Sequence, residues 1–266
     1  MEDLILTGYR AASVSETVSF PQNAYAPEIA STPPSAISWK RNTNPCLRGL
    51  LKKFLLVVAI LALASFAFST PLAMIVLNPT ALGAGRFPPD WKILVNHGKP
   101  DISACRDGDV ACLHLKSVKA SFALERSVDV NPSELPFLTW RWKVARVPGG
   151  GDFRRAATDD QAAQVLVAFA DRRVLTYLWD SNAPKGSEGS ASSLPLVHVF
   201  AVVCESGTAR TNQWILENRN LADDFQRAYG KPAPRVKGLR IQINSQHTGT
   251  VAESYFGDIA FRSTPQ

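Results

Sequence analysis

The sequence predicts a mostly β protein: a β-sandwich or jelly-roll-like single domain with one short helix, preceded by an N-terminal transmembrane or signal helix. Three observations predict it. Short apolar or alternating runs recur from about residue 91 to the C-terminus, with Gly, Pro, Asn and Asp between most of them. One stretch alone carries clear helix start and stop signals. A long uncharged apolar run stands ahead of all of this, with basic residues on its N-terminal side.

In chain order, residues 1–49 are rich in Ser, Pro, Ala, Thr and Asn and show no sustained period. They read as a disordered tail, because such a composition buries too little apolar surface to offset chain entropy. Residues 50–77 read as a transmembrane signal-anchor or a signal peptide. Phe54 to Phe68 carries no charge, and the apolar run resumes from Leu72 to Leu77 after Ser69, Thr70 and Pro71. Together they match the ~20 residues that cross a bilayer as a helix. Lys40, Arg41, Arg48, Lys52 and Lys53 precede the run, so the positive-inside rule places the C-terminal domain outside the cytoplasm. Two alternatives stand: an uncleaved anchor, or a peptide cleaved near Ala67-Phe68-Ser69. Either way the membrane is an expected partner through this segment. The folded domain, residues 85–266, is expected to be periplasmic or otherwise extracytoplasmic.

Within that domain the strands are predicted over 91–95, 112–116, 121–130, 137–144, 164–170, 174–179, 196–204, 213–218, 239–244 and 254–261. Alternation gives two of them a core face. Leu138, Trp140, Trp142 and Val144 fall on one side, with Thr139, Arg141 and Lys143 on the other. Leu239, Ile241 and Ile243 are likewise opposed to Arg240, Gln242 and Asn244. The polar sets should face water or a ligand. Residues 164–170 are apolar on both faces, which suits a central, covered strand. The helix begins after Asn220, a capping residue, and stops at Gly230 and Pro232. Two loops stand out: the long charged one from Gly149 to Gln161, and a Gly- and Ser-rich one from Pro184 to Ser193 that reads as disordered.

The net charge of +6 comes from 29 basic and 23 acidic residues that are mostly interspersed. With no basic stripe and no nucleic-acid motif, nucleic acid is not an expected partner. There is no P-loop, no G-x-G-x-x-G and no G-x-S-x-G elbow, and no cofactor is implied. Cys105 and Cys112 bracket an Asp-Gly turn, which favours a disulfide between them in an oxidising compartment, with Cys204 as the competing partner.

Seven blocks, in order, carry a resemblance: Phe87-Pro88-Pro89-Asp90-Trp91; Leu138-Thr139-Trp140-Arg141-Trp142-Lys143-Val144; Asp159-Asp160-Gln161-Ala162-Ala163-Gln164-Val165; Leu175-Thr176-Tyr177-Leu178-Trp179; Trp214-Ile215-Leu216-Glu217-Asn218-Arg219-Asn220; Ile243-Asn244-Ser245-Gln246-His247-Thr248-Gly249; and Tyr255-Phe256-Gly257-Asp258-Ile259. They resemble the bacterial family called domain of unknown function 3047. The resemblance implies an exported bacterial β-sandwich and transfers no catalytic residue. The chain departs from the family pattern at Asp171-Arg172-Arg173, a short turn where the family carries a longer acidic insert.

Candidate chemistry is sparse. Asp159 and Asp160 are adjacent carboxylates, which suit Ca²⁺ ligation with Asp152 or Gln161, or plain solvation; the bland role weighs more. Trp179-Asp180-Ser181-Asn182 joins a ring to hydrogen-bonding side chains, as sugar sites do, but also fits a core Trp before an Asx turn. Asn244-Ser245-Gln246-His247 is a similar polar cluster. Cys112 with His114, or His198 with Cys204, carries only weak metal-ligand spacing, and no metal site is expected. The leading expectation is non-catalytic binding of a glycan or envelope component, with Arg141, Asp160, Trp179, Asp180, Asn244 and His247 as the ligand face. The alternatives are a polysaccharide-acting enzyme using two of Asp159, Asp160, Glu217 and Asp258, or an envelope structural protein that docks a partner.

Overall fold

The computed structural model describes residues 72–82, 87–88, 90–194 and 197–266. In chain order the strands are β1 (Ala73–Leu77), β2 (Lys92–His97), β3 (Ile102–Asp107), β4 (Val110–Val118), β5 (Ser121–Val130), β6 (Phe137–Arg146) and β7 (Ala163–Phe169). Next come β8 (Arg173–Asp180), β9 (Glu188–Leu194), β10 (Val197–Ser206), β11 (Ile215–Asn220), β12 (Val236–Asn244) and β13 (Val251–Arg262). The helix α1 (Leu221–Tyr229) lies between β11 and β12.

The strands form two sheets in a sandwich-like arrangement. Sheet A has the order β11-β6-β13-β4-β3, with β1 also paired to β13; sheet B has the order β2-β5-β12-β7-β8-β10-β9. All pairs are antiparallel except β8 with β10, which run parallel. The core lies where inward side chains of both sheets meet. Leu138, Trp140, Trp142 and Val144 from β6, and Leu239, Ile241 and Ile243 from β12, are fully buried there. Both predicted core faces are therefore core. β7 lies between β12 and β8 and is buried along its whole length. A second apolar cluster that includes Phe153, Leu166, Val174, Leu178 and Val203 explains why β7 and β8 are apolar on alternate residues as well.

The helix follows its signals. Asn220 Oδ1 accepts from the amides of Ala222 and Asp223, Asp223 and Asp224 sit in the first turn, and Gly230 closes the helix in the left-handed region at φ 69°.

Three expectations need correction. The apolar residues 72–77 are not the end of a membrane span: Ala73–Leu77 is a strand on β13, with Val76 and Leu77 buried in the core. The folded unit thus begins before residue 85. The rest of that apolar run, and the tail before it, lie outside the described residues. Among the described residues, no helix is long and apolar enough to cross a membrane. Second, most of the Gly- and Ser-rich loop is not disordered: residues 188–194 form β9, the edge of sheet B, held by main-chain pairing to β10. Third, the polar sets opposite the core faces are not all at the surface. Thr139, Lys143, Arg240 and Asn244 are buried, and of Thr139, Arg141 and Lys143 only Arg141 is exposed.

Candidate functional site

At one pole of the sandwich the β6–β7 connection meets the β12–β13 turn. The meeting is close: a Cβ on Gly151 would collide with the main-chain oxygen of Asp160, so only glycine fits there. Asn244 Nδ2 donates to the carbonyl of Asp159 at 2.7 Å, and its Oδ1 accepts from Gln161 N and Gln164 Nε2 at 2.9 and 2.7 Å. Asp160, 0% exposed, accepts through Oδ2 from the amide and hydroxyl of Thr248 at 2.6 and 2.8 Å. Its Oδ1 has no hydrogen bond and lies 3.5 Å from His247 Nδ1. Asp159 is buried beside it and accepts from Gln161 Nε2 at 2.9 Å. Burial pushes the Asp159 carboxyl up to about 7.

The loop ahead of this pole is packed, not free. Asp152 grips Arg154 through the side chain and the amide, and the guanidinium holds its carboxyl below the usual range. Asp180 accepts from the amides of Phe153, Asn182 and Ala183, while burial raises its carboxyl.

The six residues expected on a ligand face are therefore split. Asp160, Asn244 and His247 come together at the pole, but the first two are buried and hold loops to one another. Trp179 is 0% exposed in the core, its indole Nε1 bonded to the carbonyl of Gly207 at 3.0 Å, and has no free face for a sugar. A strand-end Trp turns inward here because β8 is covered on both sides. Asp180 organises the loop through three amides. His247, with a side chain 40% exposed, is the accessible member of the pole. Arg141 stands elsewhere, on the outer face of sheet A. The four candidate acids also stand apart: Asp159 and Asp160 at the pole, Asp258 exposed on β13, and Glu217 on β11. Burial, then the charge of Glu205, raise Glu217 to about 7.

That outer face holds a constellation that periodicity alone did not reveal. Cross-strand register sets His114 of β4 beside Tyr255 of β13, and Tyr255 beside Lys143 of β6. The rings of His114 and Tyr255 stack at 4.6 Å with planes 19° apart. His114 Nε2 and Glu253 Oε1 are 2.8 Å apart, and the Tyr255 hydroxyl donates to the same oxygen at 3.2 Å. Lys143 Nζ lies 4.4 Å from the centre of Tyr255 and 5.7 Å from that of Trp214, the residue just before β11. Trp214 lies across Gly257: a Cβ there would stand 3.6 Å from Trp214 Cζ3 and 3.2 Å from Arg141 Cβ. The tip of the β3–β4 hairpin reaches over this row. Asp107 Oδ2 accepts from Trp214 Nε1 at 2.7 Å and pairs with Lys143 Nζ at 2.6 Å. The Lys143 bond first, then that of Trp214, hold its carboxyl below the usual range. Behind the tip, Cys105 and Cys112 are directly opposed in register and joined by a disulfide; Cys204 is free and buried on β10.

His114, Tyr255 and Trp214 are each half-buried, and Tyr255 lies between the His114 ring and Lys143 Nζ, which leaves His114 and Trp214 as the outer rings of the row. Strand spacing makes the row about 14 Å long. An arrangement of this kind stacks on flat, partly apolar ligands and orients them by the polar groups between the rings.

Fold and face together define a two-sheet, β-sandwich-like domain with a ring-bearing outer surface. The chain belongs to the family described as Protein of unknown function (DUF3047), whose pattern matches residues 91–260. Comparison with curated proteins found no match. Among solved structures the chain is similar to the family 11 carbohydrate-binding module of the cellulosomal cellulase Lic26A-Cel5E of Clostridium thermocellum, at 6% identity and TM-score 0.39, covering 73% of this chain and 95% of that one. It is also similar to the family GH12 endoglucanase 3 of Trichoderma harzianum, at 10% identity and TM-score 0.40, over 75% and 100% of the two chains. A third is the xyloglucanase domain of NopAA from Sinorhizobium fredii, at 10% identity and TM-score 0.40, over 68% and 97%. Likeness at this level says nothing about side chains.

Proposed function

We propose that this domain binds a glycan, or another polymer of the cell envelope, across the outer face of sheet A without cleaving it. The observation that carries the reading is the row His114, Tyr255, Lys143 and Trp214, which crosses the strands with its rings half-buried and its polar atoms fixed by Glu253 and Asp107. Rings already held in place lose little freedom on binding, which favours stacking of sugar rings. The pole with Asp159, Asp160 and Asn244 serves to fasten loops, and His247 is its one group open to a ligand.

In this reading the domain acts outside the cytoplasm. The disulfide at Cys105 and Cys112 supports an oxidising compartment. So does the basic-flanked apolar run before β1, as an export signal or anchor.

The test is titration of the full chain with a panel of soluble polysaccharides, comparing wild type with Trp214→Ala and Tyr255→Ala, and analysing each bound polymer for cleavage. Each variant should weaken binding about tenfold with the polymer intact, Trp214→Ala by loss of a stacking ring and Tyr255→Ala by loss of the ring that holds His114 and Lys143 in the row. Wild-type affinity in both variants would reject the face. Shortened polymer would reject the non-catalytic reading.

A further inference from the structure

We infer that the polymer held on this face is acidic, and that Arg141 is the residue that recognises its carboxylates. The inference rests on the binding reading above and adds the chemical class of the ligand. It comes from the charges on the outer face of sheet A. Lys143 is neutralised by Asp107 at 2.6 Å, and His114 stands 2.8 Å from Glu253. Lys116 of β4 lies directly across from Glu253 in register. Arg141 is exposed and makes no ion pair or side-chain hydrogen bond among the described residues.

An unpaired arginine on a protein surface is ordinary. Two features set this one apart. It projects from β6 two residues along the strand from Lys143 and opposite Leu216 of β11, so it stands directly beside the row. It also flanks Gly257 together with Trp214: Arg141 Cβ and Trp214 Cζ3 lie 3.2 and 3.6 Å from one and the same point above that glycine. A guanidinium rooted against the edge of an aromatic plate meets a carboxylate on a sugar that stacks on the plate. Its planar fork matches that carboxylate with two parallel hydrogen bonds, which a hydroxyl cannot reproduce. A neutral sugar would leave the guanidinium in water, with no gain from its place beside the ring. The residues from 72 onward carry 23 basic and 19 acidic side chains, and this net +4 adds a weaker, long-range attraction for an anionic chain.

The experiment compares binding of the full chain to polygalacturonate and to the same polymer with its carboxylates methyl-esterified. Wild type and Arg141→Gln are both measured at two ionic strengths, with single-stranded DNA as a control for charge alone. Wild type should bind the free acid about tenfold more tightly than the ester. Arg141→Gln should remove most of that difference, weakening binding of the acid much more than binding of the ester. Arg141 is exposed, so the variant is expected to fold, and circular dichroism checks that it has. Equal binding of acid and ester, still lost in Trp214→Ala, would overturn the acidic assignment and leave the binding face standing. No binding of either polymer, with no other glycan of the panel bound, would overturn both. DNA bound as tightly as polygalacturonate would also overturn the assignment, by showing attraction without recognition.

Discussion

Trp214 and Asp107 are far apart in sequence, yet the indole Nε1 of Trp214 donates to Asp107 Oδ2 at 2.7 Å. This bond fixes the ring that lies over Gly257 and ties it to the hairpin of β3 and β4. Asp107 holds Lys143 as well, so one carboxylate positions both a ring and a cation of the row.

Asp107→Ala should therefore loosen the face more than it unfolds the domain. We expect red-shifted indole emission, a weaker near-ultraviolet dichroism signal and about tenfold weaker glycan binding. The stability loss should be about 1–3 kcal/mol, because the Asp107 side chain is 38% exposed but the buried Lys143 loses its counter-charge. Unchanged emission together with unchanged affinity would show that Asp107 does not position Trp214.

The disulfide closes the same hairpin. Replacing Cys105 and Cys112 by Ser frees a short loop in the unfolded chain, which costs about 2 kcal/mol of stability if the effect is entropic. Urea denaturation of the double variant and of the reduced wild type should agree on that loss. Both should show the loosened Trp214 signal, since Asp107 sits at the end of the released strand.

Asp159 gives a pH signature. Its carboxyl rises from the ordinary 3.8 to about 7 because it is buried. Between those values the folded protein holds a proton that the unfolded chain has released, so this group favours folding at low pH. That contribution is lost as pH rises toward and through about 7. Glu217, also raised to about 7, acts with the same sign. Asp159→Asn should be more stable than wild type at pH 8 by about 2 kcal/mol, with the difference vanishing near pH 4. Denaturant midpoints across that range check it. A constant difference at all pH values would contradict the assignment.

Gly151→Ala should lower stability by about 2 kcal/mol or more, because the new methyl group must displace the Asp160 main chain and with it the link to Thr248. Thermal unfolding measures it directly.

Much of the fold was legible in the sequence. All ten predicted strands are present, 121–130 with both ends matched and the other nine with at least one end shifted, and Asn220 and Gly230 bound the helix. What escaped has physical reasons. β1 is a short apolar run that continues a longer one, and hydropathy alone does not separate a strand from a membrane helix. β3 mixes polar and apolar residues without period, and β9 is held by pairing to β10 and not by its Gly and Ser side chains. The candidate site was less legible. Arg141 was visible from alternation on β6. The row of rings needs the register of β4, β13 and β6, which no single strand contains. Trp179 and Asp180 read as ligand-facing only while the second cover over β8 is unknown.

The binding face is tested most directly by hydroxyl-radical footprinting of the full chain, with and without saturating polygalacturonate. If the polymer lies across the outer face of sheet A, Trp214, Tyr255 and His114 lose reactivity when it binds, while His247 at the pole does not. Protection of His247 with Trp214 and Tyr255 unchanged would contradict that placement, and would move the binding site to the turn between β12 and β13.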